Sequence, residues 1–287
     1  MTGNTDLVPY SFSMVNLVKL MPEWNWQQFD RFMLIADTRR IELVPGMILG
    51  SDWDRQIDQS SACRDTLAHL MSGYTVTSIQ SLTYGLHINL GDALKSNNDL
   101  LRRFQSLARL GDMLKCKVFV LGSPGQKKLK PPHADPVASK QLFIENCAWI
   151  ASVLGPDRVL SLEHNTSAQG AEFCNTLRDV VEVVLSLRAL GALNVGLNLD
   201  TKCLIDEFGV NVGLPRMICE YRLCDIVTSI QVSLDFLARS DSQAREDEIA
   251  LLQLANDRCC PISLEEFGLA EDRLSSFLVL WNGVRRF

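Results

Sequence analysis

The sequence predicts an α/β fold, a single (β/α)8 TIM barrel that occupies residues 1–287. Short apolar or β-branched runs alternate with longer amphipathic stretches along the chain. Eight such units share 287 residues, or about 36 residues each, which is the usual size of a barrel unit. No linker divides the chain, and no G-x-G-x-x-G fingerprint supports the alternative, a doubly wound open sheet.

Eight runs are predicted as strands. They do not show the alternation of apolar and polar residues that is typical of a half-exposed strand, and this is expected where both faces of a parallel sheet are buried. In chain order the predicted strands are Ser11–Asn16, Arg40–Val44, Thr75–Gln80, Lys117–Leu121, Arg158–Leu162, Asn194–Leu199, Asp225–Ile230 and Cys260–Leu264.

The stretches between the strands have apolar residues at helical spacing. Several begin after a capping residue or with an acidic first turn, and Gly191 ends one of them. The Pro- and Lys-rich segment Gly122–Pro136 is interpreted as a long loop. The predicted helices include Asp54–Met71, Asp99–Leu114, Val137–Leu154, Ala171–Leu190, Ser242–Asn256 and Glu271–Val284.

Composition argues against several classes of protein. Lys and Arg number 28 against 34 Asp and Glu, so the formal net charge is −6 and no basic block offers a surface for nucleic acid. The nine cysteines are scattered through apolar segments, which is typical of a reduced, cytoplasmic protein. No secretory signal opens the chain, and no apolar run reaches the roughly 18 residues of a membrane span. We therefore expect a cytoplasmic protein without nucleic-acid or membrane partners.

Four polar side chains stand at the ends of successive strands in the second half of the chain. Glu163, Asp200, Gln231 and Glu265 are separated by 37, 31 and 34 residues, which is close to one βα unit each. In a barrel these positions face one mouth, and carboxylate and amide oxygens suit Mg²⁺ or Mn²⁺. The alternative for any one of them is a cap on the helix that follows.

Five segments at strand ends together resemble the sugar-phosphate isomerase/epimerase family, the xylose-isomerase-like TIM barrels. The resemblance runs from about Ser11 to Glu265, and the order and spacing of the segments carry it. That family includes hydroxypyruvate isomerases, ketose 3-epimerases and inosose dehydratases, and it is distantly related to endonuclease IV. The segments are IELVPG, SIQSLTYG, FVLGSPGQKK, SLEHN and GLNLDT.

The resemblance implies a divalent ion held by Glu163, Asp200, Gln231 and Glu265. Mn²⁺ or Mg²⁺ is favoured, while Zn²⁺, Co²⁺ and Fe²⁺ are compatible with the ligand set. It also implies proton transfer next to a carbonyl through an enediolate, with Glu163 and Glu265 as the acid/base pair and the metal as a Lewis acid. The sequence does not tell which glutamate is the base.

The chain departs from the family pattern at three places. Members commonly have H-x-H at the seventh strand, where this chain has Gln231. The D-T-x-H motif after the sixth strand ends here in Cys203. The arginine expected after the seventh strand has its nearest counterpart in Arg239, slightly out of position.

Further residues at the predicted mouth are candidates for contact with a substrate. For Gln80 the alternative is a purely structural hydrogen bond. For Ser123 and Lys127 the alternative is a place in a solvated basic loop. For His164 the alternative is contact with the metal ligands and not with the substrate itself. Cys203 as a nucleophile would need a base, and no base stands near it in the sequence. The candidates are Gln80, Tyr84, Ser123, Lys127, His164 and Cys203.

These observations predict a divalent-metal-dependent isomerase or epimerase acting on a small sugar, a sugar phosphate or a related polyhydroxy carbonyl compound. The alternative is a catalytically inactive barrel that serves as a binding or scaffold subunit, which the changes at Gln231 and Cys203 favour. The expected partner is a small carbohydrate-like molecule, and a homo-oligomer is compatible with the sequence. Phosphodiester hydrolysis as in endonuclease IV is disfavoured, because four scattered histidines do not supply a multi-zinc site.

Overall fold

A computed structural model describes residues 10–14, 26–129 and 135–266. Eight parallel strands form a closed barrel in chain order, and β1 pairs with β8. The predicted barrel fold is therefore confirmed. The strands are β1 Tyr10–Ser13, β2 Arg40–Leu43, β3 Thr75–Ile79, β4 Val118–Leu121, β5 Val159–Glu163, β6 Val195–Asp200, β7 Val227–Val232 and β8 Ile262–Leu264.

Helices fill the connections between the strands and surround the barrel. Short 3-10 turns lie at Pro124–Gln126 and Ser167–Gln169. The helices are α1 Trp26–Ile35, α2 Pro45–Ile48, α3 Trp53–Gln56, α4 Ser61–Gly73, α5 Asn98–Leu114, α6 Pro136–Leu154, α7 Leu177–Ala189, α8 Thr201–Phe208, α9 Leu214–Glu220, α10 Leu223–Ile226, α11 Leu234–Leu237 and α12 Ser242–Arg258. Within the described ranges, no helix combines the length and the apolar character that a membrane crossing needs.

Several predicted boundaries differ from the structure for local reasons. The predicted helix Asp54–Met71 is two helices, because Ser60 caps the second one by accepting a hydrogen bond from the Cys63 N–H at 3.3 Å. The predicted helix Ala171–Leu190 begins only at Leu177. The seventh strand starts two residues later than predicted, at Val227, because α10 takes up the preceding residues. The predicted helix Glu271–Val284 lies outside the described residues.

The interior of the barrel is polar, whereas the space between strands and helices is apolar. Glu42 on β2 accepts a hydrogen bond from Gln231 on β7, and Ser161 on β5 is bonded to Ser229 on β7. Neither pair comes from neighbouring strands, so both contacts cross the interior. The apolar residues between these positions point outward to the helices. For example, the ring of Phe12 on β1 packs against the ring of Phe32 on α1, with 4.9 Å between the ring centroids. Both faces of most strands are buried, as predicted, and several strands, such as β5 and β7, place polar residues on the inner face.

Candidate metal and substrate site

A cavity of about 560 Å³ opens at the carboxyl ends of the strands. In barrels of this kind the chemistry is placed at that end, because the loops after the strands gather there. Side chains of the cavity wall include Gln80, Tyr84, Ser123, Gln126, Glu163, Asn165, Gln169, Asp200, Lys202, Asp206, Ser233, Glu265 and Glu266.

Three carboxylates stand at strand ends in this cavity. Glu163 is the last residue of β5, Asp200 is the last residue of β6, and Glu265 follows β8 directly. The structure therefore brings three of the four predicted metal ligands to one cavity wall. The fourth, Gln231, is not among the residues of that wall.

The Glu163 carboxylate has room because the residue beside it is a glycine. A Cβ atom built on Gly122, directly after β4, would lie 2.6 Å from Glu163 Oε2. From the other side, Asn165 donates its amide N–H to Glu163 Oε1 at 2.5 Å. The carboxylate is thus held in a defined position at the cavity.

Asp200 is both a helix cap and a member of the cavity wall. Its Oδ1 accepts from the Lys202 N–H at 2.7 Å, which caps α8, and its Oδ2 accepts from the Cys203 thiol at 3.0 Å. One potential ligand atom each from Glu163, Asp200 and Cys203 lies within 4.8 Å of the others. The capping alternative for Asp200 is therefore correct, and it is compatible with a place in the site.

Glu265 is held by two glutamine amides that also bind a fourth carboxylate. Gln80 Nε2 donates to Glu265 Oε2 at 2.9 Å and to Glu42 Oε1 at 2.8 Å. Gln231 Nε2 reaches the same two oxygens at 2.6 and 3.0 Å. The two amides therefore link Glu265 in the cavity wall to Glu42 in the barrel interior.

Gln231 is predicted to offer its oxygen to a metal, and in the structure both ends of its amide are hydrogen-bonded inside the barrel. Its side-chain nitrogen faces Glu42 and Glu265, and its oxygen accepts a hydrogen bond from Asn198 Nδ2. An ionised carboxylate accepts hydrogen bonds, and the amide nitrogen of Gln231 donates one to each of the two glutamates. Gln231 therefore supports Glu265 by hydrogen bonding.

Burial raises the pKa values of all four carboxyl groups. It raises the pKa of Glu163 to about 8, with the neighbouring Asp200 as the next cause. Burial is also the main cause of the raised pKa values of Asp200, Glu265 and Glu42. Negative charges this close in a buried place require protons or a cation to offset them. Donor atoms of Glu163, Asp200 and Cys203 lie within 4.8 Å of one another, which fits a divalent cation, and Glu265 stands in the same cavity wall as Glu163 and Asp200.

Three of the predicted substrate-contact residues line the cavity: Gln80, Tyr84 and Ser123. The structural hydrogen bonds expected for Gln80 are also present. Ser123 adopts a left-handed backbone conformation with φ of 67°, and its hydroxyl is 2.7 Å from the Thr83 hydroxyl. A strained non-glycine residue of this kind is held by its surroundings and often marks a functional loop.

Lys127 and His164 are not among the residues of the cavity wall, so their role as substrate contacts stays a prediction without support from this geometry. Lys127 is fully buried, and its ammonium group donates to the Glu163 carbonyl at 2.9 Å and to Asn165 Oδ1 at 3.0 Å. The pKa of this amine is lowered by burial. His164 points away from Glu163, and its Nε2 lies 3.4 Å from a carboxylate oxygen of Glu207. Burial lowers the pKa of His164 to about 4.

Cys203 is also absent from the cavity wall, so direct contact with a substrate is not supported. Its side chain is fully buried behind Asp200. Burial, together with the neighbouring Asp200 and Glu163, raises the pKa of this thiol. A thiol in such surroundings is a poor nucleophile.

Positive charge is scarce in the described part of the cavity wall. Lys202 is the cation there, and it forms an ion pair with Asp206 one helical turn later. Arg239, the counterpart of the arginine in the resembled family, lies elsewhere. It stacks on Phe236 at 4.0 Å and binds Asp247 at 2.8 Å.

Sequence reasoning missed two residues that hold the site. Glu42 stands between two apolar residues of a buried strand, and a charge in such a run was the available signal. Asn165 lies two residues after Glu163, where it orients that carboxylate. Nothing in its immediate sequence distinguishes it from an ordinary loop asparagine.

Comparison with known proteins identifies the fold. No family model and no curated protein sequence matches the chain. Among solved structures, 3-keto-D-glucoside 4-epimerase from E. coli is 14% identical over 90% of this chain and 93% of its own, with a TM-score of 0.62. The IolI protein with a bound zinc atom is 14% identical over 96% and 95%, with a TM-score of 0.61. D-allulose 3-epimerase from Methylomonas sp., in complex with D-allulose, is 15% identical over 96% and 90%, with a TM-score of 0.62. The chain shares its (β/α)8 barrel fold with these proteins.

Proposed function

We propose that this chain, with the fold of the xylose-isomerase-like barrels, is a divalent-metal-dependent isomerase or epimerase of small polyhydroxy carbonyl compounds. One observation carries the proposal. Carboxylates from the ends of three different strands, Glu163, Asp200 and Glu265, line one cavity at the carboxyl end of the barrel. The sugar epimerases among the structural neighbours support the same class of reaction.

The three carboxylates are the residues that would hold the cation. When bound, such an ion supplies Lewis acidity to a substrate carbonyl. Gly122 keeps the space at Glu163 open, and Asn165 keeps the carboxylate in place. The remaining chemistry falls to side chains of the protein.

Proton transfer next to a carbonyl needs one group to remove the proton and one to return it. Glu163 on β5 and Glu265 after β8 stand on strands three apart around the ring, so they approach a bound molecule from different sides. Both are positioned by amide N–H donors, Glu163 by Asn165 and Glu265 by Gln80 and Gln231. Fixed donors of this kind reduce the reorganisation that the reaction would otherwise require.

The lining of the cavity favours an uncharged, hydroxyl-rich substrate. Neutral hydrogen-bonding side chains, among them Tyr84, Ser123 and Gln126, offer partners to hydroxyl groups. Beyond the three proposed ligands, the described part of the wall carries two acidic residues, Asp206 and Glu266, and one basic residue, Lys202, which pairs with Asp206. A phosphate group would meet like charge there, so we propose free sugars ahead of sugar phosphates.

The test is a panel of free ketoses and aldoses incubated with the protein and a divalent cation in deuterated water. We expect conversion of at least one sugar, with deuterium incorporated at the carbon next to the carbonyl. Glu163→Gln and Glu265→Gln should each lower turnover on the order of 10²-fold or more. The matched control is Glu145→Gln, which changes an exposed glutamate in the middle of α6. Conversion without solvent exchange would contradict the proton-transfer mechanism.

The alternative is a barrel that binds its ligand without transforming it. The observation that favours it concerns Gln231 on the seventh strand. Its side-chain oxygen accepts a hydrogen bond from Asn198 inside the barrel, so it is not directed at a cation in the cavity. Cation binding together with a complete lack of turnover across the panel would favour this alternative.

A further inference from the structure

Gln231, the ligand predicted on the seventh strand, is not part of the cavity wall, which leaves room for another donor to the proposed cation. Both polar atoms of the Gln231 side chain are hydrogen-bonded. The nitrogen donates to Glu42 and Glu265, and the oxygen accepts from Asn198. Asn198 is fixed in turn, because its Oδ1 accepts from the Ser229 hydroxyl at 2.6 Å. Turning the Gln231 oxygen outward would break this chain of hydrogen bonds across the barrel.

Cys203 lies beside two of the proposed ligands, Glu163 and Asp200. It lies in the first turn of α8, three residues after Asp200, so both side chains fall on the same side of the helix start. Its sulfur is 3.0 Å from Asp200 Oδ2 and 3.4 Å from Gln169 Oε1. Gln169 lines the cavity, so the thiol is one side chain away from the space that a substrate would occupy.

The spacing of the donor atoms is close to that of a coordination shell. Ligand atoms of Glu163, Asp200 and Cys203 lie within 4.8 Å of one another. Oxygen and sulfur ligands about 2.1 and 2.3 Å from a tetrahedral ion are roughly 3.6 Å apart. Side-chain adjustments of about 1 Å would therefore close the three donors around one ion.

We infer that Cys203 supplies a thiolate ligand to the cation site, beside Glu163, Asp200 and Glu265. The inference rests on the metal site of the proposed function and specifies its chemistry. One soft sulfur among three carboxylates favours Zn²⁺, Co²⁺ or Fe²⁺ over Mg²⁺. Binding replaces the S–H bond by a sulfur–metal bond and releases the proton to solvent, so one proton leaves this thiol for each ion bound.

The test uses Co²⁺ as the probe, because a thiolate ligand gives Co²⁺ a charge-transfer band in the near ultraviolet. The full-length chain carries serine at its exposed cysteines, Cys219, Cys224 and Cys259, to remove unrelated sulfur ligands. This parent protein should bind one Co²⁺ per chain and show the band. Cys203→Ser should lose the band and bind Co²⁺ on the order of 10-fold or more weakly. Cys147→Ser, which changes another fully buried cysteine, is the matched control and should keep both.

A stoichiometric Co²⁺ complex of the parent without the band would overturn the role of Cys203 and leave the carboxylate site standing. A band that survives in Cys203→Ser would overturn it as well. Failure of the parent to bind any Co²⁺, Zn²⁺ or Mn²⁺ would instead remove the metal site of the proposed function and this inference with it. If Cys203→Ser does not fold, X-ray absorption of the Zn²⁺-loaded parent decides: one sulfur at about 2.3 Å supports the inference, and a shell of oxygen and nitrogen alone contradicts it.

Discussion

At the scale of single residues, Gly122 controls the position of Glu163. Gly122→Ala would place a methyl group 2.6 Å from Glu163 Oε2, so the carboxylate has to move. We expect Zn²⁺ or Co²⁺ affinity, measured by calorimetry, to fall on the order of 10-fold, as for other changes that disturb ligand orientation. Gly125→Ala is the control, because no atom lies within 4 Å of its new methyl group. Equal affinity in both variants would contradict a ligand role for Glu163.

Glu42 accepts hydrogen bonds from the side-chain amides of Gln80 and Gln231 and so fixes their orientation. Glu42→Leu would leave the Gln80 and Gln231 amides and the Ser78 and Ser263 hydroxyls without their shared acceptor. We expect it to lower the free energy of unfolding by about 2–4 kcal/mol in urea denaturation.

Glu42→Gln separates the effect of hydrogen bonding from that of charge. The new amide can keep its oxygen toward Gln80 and Gln231 and turn its nitrogen toward the Ser78 hydroxyl, which is able to accept. It also removes a charge from a buried cluster, so we expect a loss below about 1 kcal/mol. Equal losses for the leucine and glutamine variants would show that the hydrogen bonds of Glu42 do not matter for stability.

At the scale of elements, the start of α8 combines a helix cap with a predicted ligand. Asn caps helices about as well as Asp, so Asp200→Asn should retain the bond to the Lys202 N–H and leave the unfolding free energy nearly unchanged. Asp200→Ala should lose about 0.5–2 kcal/mol. Both variants should bind Zn²⁺ or Co²⁺ more weakly by calorimetry, on the order of 10-fold or more. Unchanged affinity in Asp200→Asn would contradict the ligand assignment.

The elements themselves were predictable from the sequence, and so were the strand ends that carry the site. Glu163, Asp200, Gln231 and Glu265 recur at close to the spacing of one βα unit, and that spacing predicts that these positions face one mouth. Helix starts were harder, because capping by Ser60 and Thr176 decides them through single hydrogen bonds.

The orientation of side chains inside the barrel could not be predicted from local sequence. Gln231 directly follows the predicted strand Asp225–Ile230, but the direction of its side chain depends on Glu42, which is 189 residues away in the chain. The polar positions of the interior do leave a pattern, since pairs such as Ser161 and Glu163, or Ser229 and Gln231, are two residues apart within apolar runs. That period of two is the sign of inward-facing strand positions.

At the scale of the whole molecule, the acidic character of the mouth should select against anionic substrates. If a free sugar is converted, its phosphate ester should be converted with a kcat/KM lower on the order of 10²-fold, because like charges face each other in the cavity. Steady-state kinetics of the pair at low and high salt measures the effect. The difference should shrink as salt increases, since ions screen the exposed part of the wall. A preference for the phosphate ester would contradict the charge argument.

The buried carboxyl groups also predict how the stability of the metal-free protein depends on pH. Burial raises the pKa of Glu163 from its usual 4.5 to about 8. Between these values the folded protein binds the proton more tightly than the unfolded chain, so this contribution to stability is complete below about pH 4.5 and is lost as the pH rises through 8. His164 acts in the opposite direction, because its pKa is lowered to about 4 and its contribution increases up to about pH 6.5.

The comparison with Glu163→Gln isolates the carboxyl group, because the variant keeps His164 and Lys127. Relative to this variant, the melting temperature of the metal-free parent should fall as the pH rises from about 5 to 8, by several degrees in all for a chain of this size. Saturating Zn²⁺ should reverse the trend in the parent, since the cation offsets the same negative charge that the proton offsets at low pH and binds the folded state selectively. Parallel curves for parent and variant, with and without Zn²⁺, would mean that Glu163 is not held as a buried acid beside Asp200.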